Sequence, residues 1–129
     1  MSAPAPEQIV RGFYDAYNAG DATAAAALYA KNGAHLDMAT GARSEGRDQI
    51  LAGLQRFFAS FGSLSWTPAP LLVGRRQHAA VYQMRLIPAG RDGDREAVLT
   101  GVHTFELGAD GITETRDYWD LAELQRQLA

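Results

Sequence analysis

Apolar residues recur at helical spacing in the first half of the chain and alternate in the second. Ile9, Val10, Phe13 and Tyr17 fall on one stripe with Tyr14 at its margin, which predicts an amphipathic helix. Pro6 suits its first position and Glu7 its positive end, and Asn18-Ala19-Gly20 stops it. Asp21 then reads as the N-cap of an alanine-rich second helix over residues 22–30, anchored by Leu28 and Tyr29. Lys31-Asn32-Gly33 reads as a turn, residues 34–38 as a short strand, and residues 40–46 as a polar loop. On that strand His35 and Asp37 point one way and Leu36 the other. Ile50, Leu51, Leu54, Phe57, Phe58 and Phe61 predict a third helix over residues 47–60, with Gly53 inside it costing about 1 kcal/mol against alanine and so marking close packing. Glu45, Arg47 and Asp48 at its start read as capping and solvated charge.

From Leu64 the period becomes two. Strands are predicted at residues 63–73, 78–87, 97–107 and 112–121, with a short closing helix over Leu121–Leu128. Pro68 and Pro70 confine the first of these strands to an edge or break it. Hairpin turns are expected at Gly74-Arg75-Arg76-Gln77, at residues 90–94 and at Gly108-Ala109-Asp110-Gly111. Helices first and strands afterwards predict an α+β fold: a curved antiparallel sheet covered by three N-terminal helices, with a cone-shaped cavity between the layers. The outer sheet face also needs cover, and Val81, Val98, Val102 and Tyr118 are its candidates for a homodimer contact.

Composition narrows the function classes. A chain of 129 residues suits one domain with a real core, and a 47% hydrophobic, 21% charged composition is that of an ordinary globular protein. The net charge of -3 argues against nucleic acid and anionic membranes as partners. Without cysteine there is no disulfide, no thiolate nucleophile and no cysteine metal site. The first ten residues have neither a basic region nor an apolar run, and no stretch approaches the ~20 apolar residues that span a bilayer, so a cytoplasmic protein is the expectation. No nucleophile elbow, phosphate-cradling loop or dinucleotide fingerprint is present, and no cofactor is expected.

The stretch GITETRDYWDL carries the candidate chemistry. Its alternation puts Thr115, Asp117, Trp119 and Leu121 on one face. A carboxylate in that company costs several kcal/mol unless it is compensated, so Asp117 either has a partner or holds a raised pKa for proton chemistry. His103 lies on the preceding strand, on a face shared with Leu99, Gly101, Phe105 and Leu107. A short hairpin could bring it beside Asp117, where a histidine and a carboxylate make a usable acid/base pair. The plainer alternative is that His103 only satisfies a buried Asp117. Asp37 is a second candidate base, or else a tie for the loop at 40–46. His35, Asp37 and His103 together could offer three metal ligands, but the spacing matches no established metal signature, and no metal is expected. Phe13, Tyr14, Tyr17, His35, Phe57, Phe61, Tyr82, Met84, Phe105 and Trp119 are candidate pocket wall, although such residues are more often plain core.

FYDAYNAGDATAAAALYA, the GRDQI that opens the third helix, and GADGITETRDYWD together resemble the SnoaL-like branch of the nuclear transport factor 2-like superfamily. The resemblance runs from Glu7 to Leu124 and implies a cone-shaped α+β barrel, usually dimeric, with a pocket between helices and sheet. Its members include polyketide cyclases, ketosteroid isomerases and limonene epoxide hydrolases, and fold likeness does not choose among them. Against the isomerases, the catalytic base falls on Asp37 and the two oxyanion donors on Phe13 and His103, with Tyr14 or Tyr17 as replacements for the missing hydroxyl. Against the epoxide hydrolases, Asp117 matches, but Ala80 and Tyr82 stand at the two remaining triad positions. Asp117 with His103 is most similar to the cyclase arrangement. The implied function is a cofactor-free cyclase, isomerase or hydrolase working by proton transfer on a small hydrophobic carbonyl or epoxide compound. The alternative is a binding or dimerisation module of the same fold without activity.

Overall fold

The computed structural model describes residues 4–90 and 95–129. Helix α1 (Pro6–Ala19) begins on its proline and ends at Gly20, whose φ of 66° is the left-handed conformation a helix stop asks for. It buries Val10, Phe13, Tyr14, Ala16 and Tyr17. Helix α2 (Ala22–Ala27) is capped by Asp21, which accepts a bond from the Ala24 amide at 2.9 Å. This helix is shorter than its alanine content predicts. The Leu28 carbonyl accepts from the Ile112 amide at 3.0 Å, so the chain has already joined the sheet there.

Strand β1 (Tyr29–Asp37) therefore runs through Lys31-Asn32-Gly33, where a turn was expected. The pairing shifts register between Tyr29 and Ala34, and Gly33 lies so close to the neighbouring strand that an added Cβ would stand 2.8 Å from the Ile112 carbonyl. The expected loop at 40–46 contains a short strand, β2 (Arg43–Glu45), paired antiparallel with β1. Helix α3 (Arg47–Ala59) follows, and Arg47 is more than solvated charge: its Nε donates to the Tyr29 carbonyl at 2.8 Å, where the register shift leaves that group free.

The later strands are β3 (Phe61–Pro68), β4 (Leu72–Val73), β5 (Gln77–Pro88), β6 (Ala97–Gly108) and β7 (Gly111–Tyr118), closed by helix α4 (Leu121–Leu128). The prolines both break the expected 63–73 strand and leave its first part at the sheet edge. Of the expected turn at 90–94, residues 91–94 lie outside the described residues. The sheet order is β2-β1-β7-β6-β5-β3, with β4 also pairing β5. It is antiparallel except between β1 and β7, which run parallel.

Alternation sorts the two faces. On β5 and β6 the inward residues Ala80, Tyr82, Met84, Leu86, Leu99, His103 and Phe105 are buried beneath the helices, each large apolar side chain contributing roughly 1.5–3 kcal/mol. Register shifts in the β1–β7, β3–β5 and β6–β7 pairs bend the sheet around this core. Two side-chain amides satisfy backbone groups that lack a strand neighbour. Asn18 pairs with both the N–H and the carbonyl of Trp66 on edge strand β3, and Gln127 does the same for Val98, where β6 outruns β7. No helix among the described residues is long and apolar enough to cross a membrane.

Candidate functional site

A cavity of about 230 Å³ lies between α3 and the sheet, lined by Tyr17, His35, Asp37, Ala42, Ser44, Ile50, Gly53, Leu54, Arg56, Phe57 and Asp117. Asp117 reaches it from β7, His35 and Asp37 from β1, and Arg56 from α3. The parallel pairing of β1 with β7 sets Asp37 opposite Asp117 and His35 opposite Thr115. That juxtaposition builds the polar side of the cavity, while α3 supplies the apolar side through Ile50, Leu54 and Phe57.

The register of β6 on β7 makes His103 and Asp117 direct cross-strand neighbours. Nε2 of His103 stands 3.4 Å from Oδ2 of Asp117, within ion-pair range but short of an aligned hydrogen bond, and it has no other partner among the described residues. The Tyr14 hydroxyl lies 2.8 Å from the other ring nitrogen. His103 is fully buried, packed edge-on against Phe13 and tilted against Tyr82, and it does not reach the cavity. Asp117 keeps 18% of its side chain exposed. Its second oxygen, Oδ1, accepts the Tyr82 hydroxyl at 2.7 Å.

Tyr82 makes that bond from two strands away. Its ring crosses over Gly101, its cross-strand neighbour on β6, so closely that an added Cβ would lie 2.3 Å from the Tyr82 oxygen. A side chain at residue 101 would close the path. Burial is the largest single influence on the Asp117 carboxyl and pushes its pKa up. His103 by charge and ring N–H, the Tyr82 hydroxyl and His35 together outweigh burial and hold the carboxyl below its ordinary value. Of the two sequence alternatives, Asp117 has partners and is an ionised carboxylate. Burial, followed by the Asp117 charge, raises the phenols of Tyr14 and Tyr82, so both keep their protons.

Asp37 is held differently. One oxygen accepts the Trp119 indole N–H at 3.0 Å and the amides of Ala39 at 3.0 Å and Thr40 at 3.3 Å. It ties the β1–β2 turn and the end of β7 together and still lines the cavity. His35 Nδ1 lies 2.6 Å from the Thr115 hydroxyl, which is itself 2.6 Å from the Tyr29 hydroxyl. Burial, then His103, lowers the His35 pKa to about 4, against a pull upward from Asp117 and Asp37.

Of the expected pocket wall, Tyr17, His35 and Phe57 line the cavity. Phe13, Met84 and Phe105 are core: Phe13 stacks on Tyr17 at 4.1 Å and meets Phe105 edge-on at 5.0 Å. Tyr14 and Tyr82 stand behind the cavity as hydrogen-bond partners, Trp119 holds Asp37, and Phe61 packs on Phe57 away from it. Ser44, Gly53 and Arg56 were not expected in the lining. Ser44 lies in a stretch of loop composition, Gly53 marks only close packing in the sequence, and Arg56 is an exposed charge one turn before the end of α3. Alternation puts Thr115 on the inward face, but its two partners lie on β1 with no local pattern linking them to it. Among the described residues His35, Asp37 and His103 do not form a metal-holding cluster.

A model of the SnoaL-like domain matches residues 10–115 of this chain. A search among curated proteins finds no relative. Solved structures match over nearly the whole length. A protein from Catenulispora acidiphila with a ketosteroid isomerase-like fold, solved with trimethylamine, is 22% identical with a TM-score of 0.86, covering 96% of this chain and 93% of its own. A candidate polyketide cyclase from Xanthomonas campestris is 26% identical with a TM-score of 0.79, covering 95% and 96%. An epoxide hydrolase/cyclase-like enzyme, SalBIII, with a role in pyran ring formation in the polyether salinomycin, is 18% identical with a TM-score of 0.79, covering 91% and 92%.

Proposed function

We propose, from the premise that this chain belongs to the SnoaL-like domain family, that it is a cofactor-free acid/base catalyst acting on a small hydrophobic carbonyl or epoxide compound. The observation that carries this reading is the ionised Asp117 carboxylate opening onto a partly open, largely apolar cavity. Asp117 is the base, taking a proton from carbon next to a carbonyl, or from a water or hydroxyl that attacks a ring. Tyr82 and His103 position it. His103 does not line the cavity, so it acts through Asp117 and not on the substrate. In a cyclisation the resulting carbanion attacks a second electrophilic carbon; in an isomerisation the proton returns at another carbon. At about 230 Å³ the cavity is smaller than the 300–1,000 Å³ of drug-sized sites, which favours a compact substrate.

The complete burial of His103 also favours the second reading, a binding module in which the Asp117–His103 pair is scaffold. Incubation with small enolisable ketones and cyclic epoxides, followed by NMR, separates the two. Proton exchange or ring opening by the wild type, lost in Asp117→Asn, supports the enzyme. Saturable binding without either supports the module.

The sheet's outer face supports a homodimer as a proposal. Val81, Val102 and Tyr118 are paired in register across β5, β6 and β7, and Val81 and Tyr118 are each 39% exposed, forming an apolar row that no other described residue covers. Sedimentation velocity on the wild type is expected to show a dimer, and Val81→Lys a monomer. A monomeric wild type at micromolar concentration would remove the proposal.

A further inference from the structure

We propose that His35 is the electrophile of this site: a neutral imidazole whose Nε2–H takes the substrate's carbonyl oxygen while Asp117 removes the neighbouring proton. This rests on the reading of the cavity as a proton-transfer site and names what its substrate must present. The direction of the hydroxyl chain fixes the ring. Thr115 has one proton and two partners at 2.6 Å, the Tyr29 hydroxyl and His35 Nδ1. If His35 Nδ1 were the donor, the Thr115 and Tyr29 hydroxyls would hold two protons with only the one bond between them to use. One of these two fully buried O–H groups would then face no acceptor among the described residues. The satisfied order is Tyr29 O–H to Thr115, and Thr115 O–H to Nδ1. The ring proton then sits on Nε2.

Nε2 has no hydrogen-bond partner among the described residues and is not sealed from solvent, so it opens onto the cavity that His35 lines. The groups that face the ring are Asp37 from its own strand, Thr115 and Asp117 from β7, His103 from β6 and Arg56 from α3. Burial leads in keeping the ring uncharged, with a pKa of about 4. The step balances without a co-reactant. The C–H bond breaks, its proton passes to Asp117 and its electron pair forms the enolate double bond. The displaced carbonyl pair rests on the oxygen bonded to Nε2–H. An anionic enolate attracts that donor more strongly than the ketone does, which is where the acceleration arises.

Nitrogen-15 NMR of the free protein at pH 7 tests the tautomer. The expected result is His35 protonated on Nε2 and bare on Nδ1; the opposite tautomer overturns the proposal. Thr115→Val is expected to yield a mixture of tautomers, and Thr115→Ser to restore the single one. Should Thr115→Val fail to fold, Thr115→Ala removes the same hydroxyl and gives the same reading. An unchanged tautomer in the variant that lacks the Thr115 hydroxyl refutes the chain. Titration with cyclohexanone is expected to shift the Nε2 resonance saturably, and methylenecyclohexane, the same shape without oxygen, to leave it in place. Equal responses, or none to the ketone, overturn the carbonyl assignment. Asp117→Asn removes turnover without removing the tautomer, so the base and the electrophile fail separately.

Discussion

Asp117→Asn is expected to lower turnover by ~10²–10⁴-fold, the loss of a positioned general base, and to destabilise the fold by ~1–3 kcal/mol. Both effects come from the same two contacts. In the wild type one carboxylate oxygen accepts the Tyr82 hydroxyl and the other faces His103 Nε2. An amide has only one acceptor oxygen. Turned one way, its NH₂ meets the His103 ring; turned the other, the Tyr82 O–H loses its acceptor. Neither donor is well placed to turn to water, since His103 is fully buried and Tyr82 is 1% exposed.

The pH dependence carries a defined sign. The folded pKa of Asp117 lies below the ordinary 3.8, so its ionised form contributes stability above that value, and the contribution is lost as pH falls through the lower folded value. His35 adds a second acid-sensitive component. Its folded pKa of about 4 against an ordinary 6.5 means that the unfolded chain gains a proton first, and stability falls as pH drops between those values. Melting curves are expected to retain the His35 component in Asp117→Asn and to lose the one below pH 3.8. Unchanged curves and unchanged turnover would make Asp117 an ordinary surface acid.

Gly101→Ala is expected to cost ~2–5 kcal/mol, combining overpacking with the loss of the Tyr82–Asp117 bond. The added carbon would lie 2.3 Å from the Tyr82 oxygen, 2.4 Å from the ring carbon that bears it, and 2.8 Å from the Tyr118 carbonyl. The ring can leave, but only by giving up Asp117. Tyr82→Phe isolates the hydroxyl and is expected to cost less, ~1–3 kcal/mol. If the ring is the obstacle, Gly101→Ala combined with Tyr82→Ala costs less than the two single changes added together. Strict additivity in chemical denaturation would show that the glycine serves something else.

Helix and strand periodicity was enough for the order of elements, because the apolar stripe of α1 and the alternation of β5, β6 and β7 are strong local patterns. The same alternation set His103 and Asp117 on inward faces of adjoining strands. Where local rules compete with tertiary contacts they gave way. Lys31-Asn32-Gly33 has turn composition, yet the parallel β7 strand draws it into β1. Alanine favours a longer α2, yet the Leu28 carbonyl is needed by Ile112. The site's supporting residues were least legible. Tyr82 meets Asp117 across an intervening strand, and Thr115 meets partners 80 and 86 positions away. The one local mark was Gly101, a glycine inside a strand, which denotes close approach without naming what approaches. Charge balance could not separate Asp37 from Asp117. The difference lies in three donors crowded on one oxygen of Asp37, and in the ring and hydroxyl divided between the two oxygens of Asp117.

The most direct test of the account is a carbon-13 NMR titration of the Asp117 carboxyl in the free wild-type protein, assigned by its absence from Asp117→Asn. The account predicts a carboxylate ionised throughout pH 5–8, with its midpoint below the ordinary 3.8. A midpoint above pH 7 would mean that burial outweighs Tyr82 and His103, and that the cavity presents a neutral acid in place of a base.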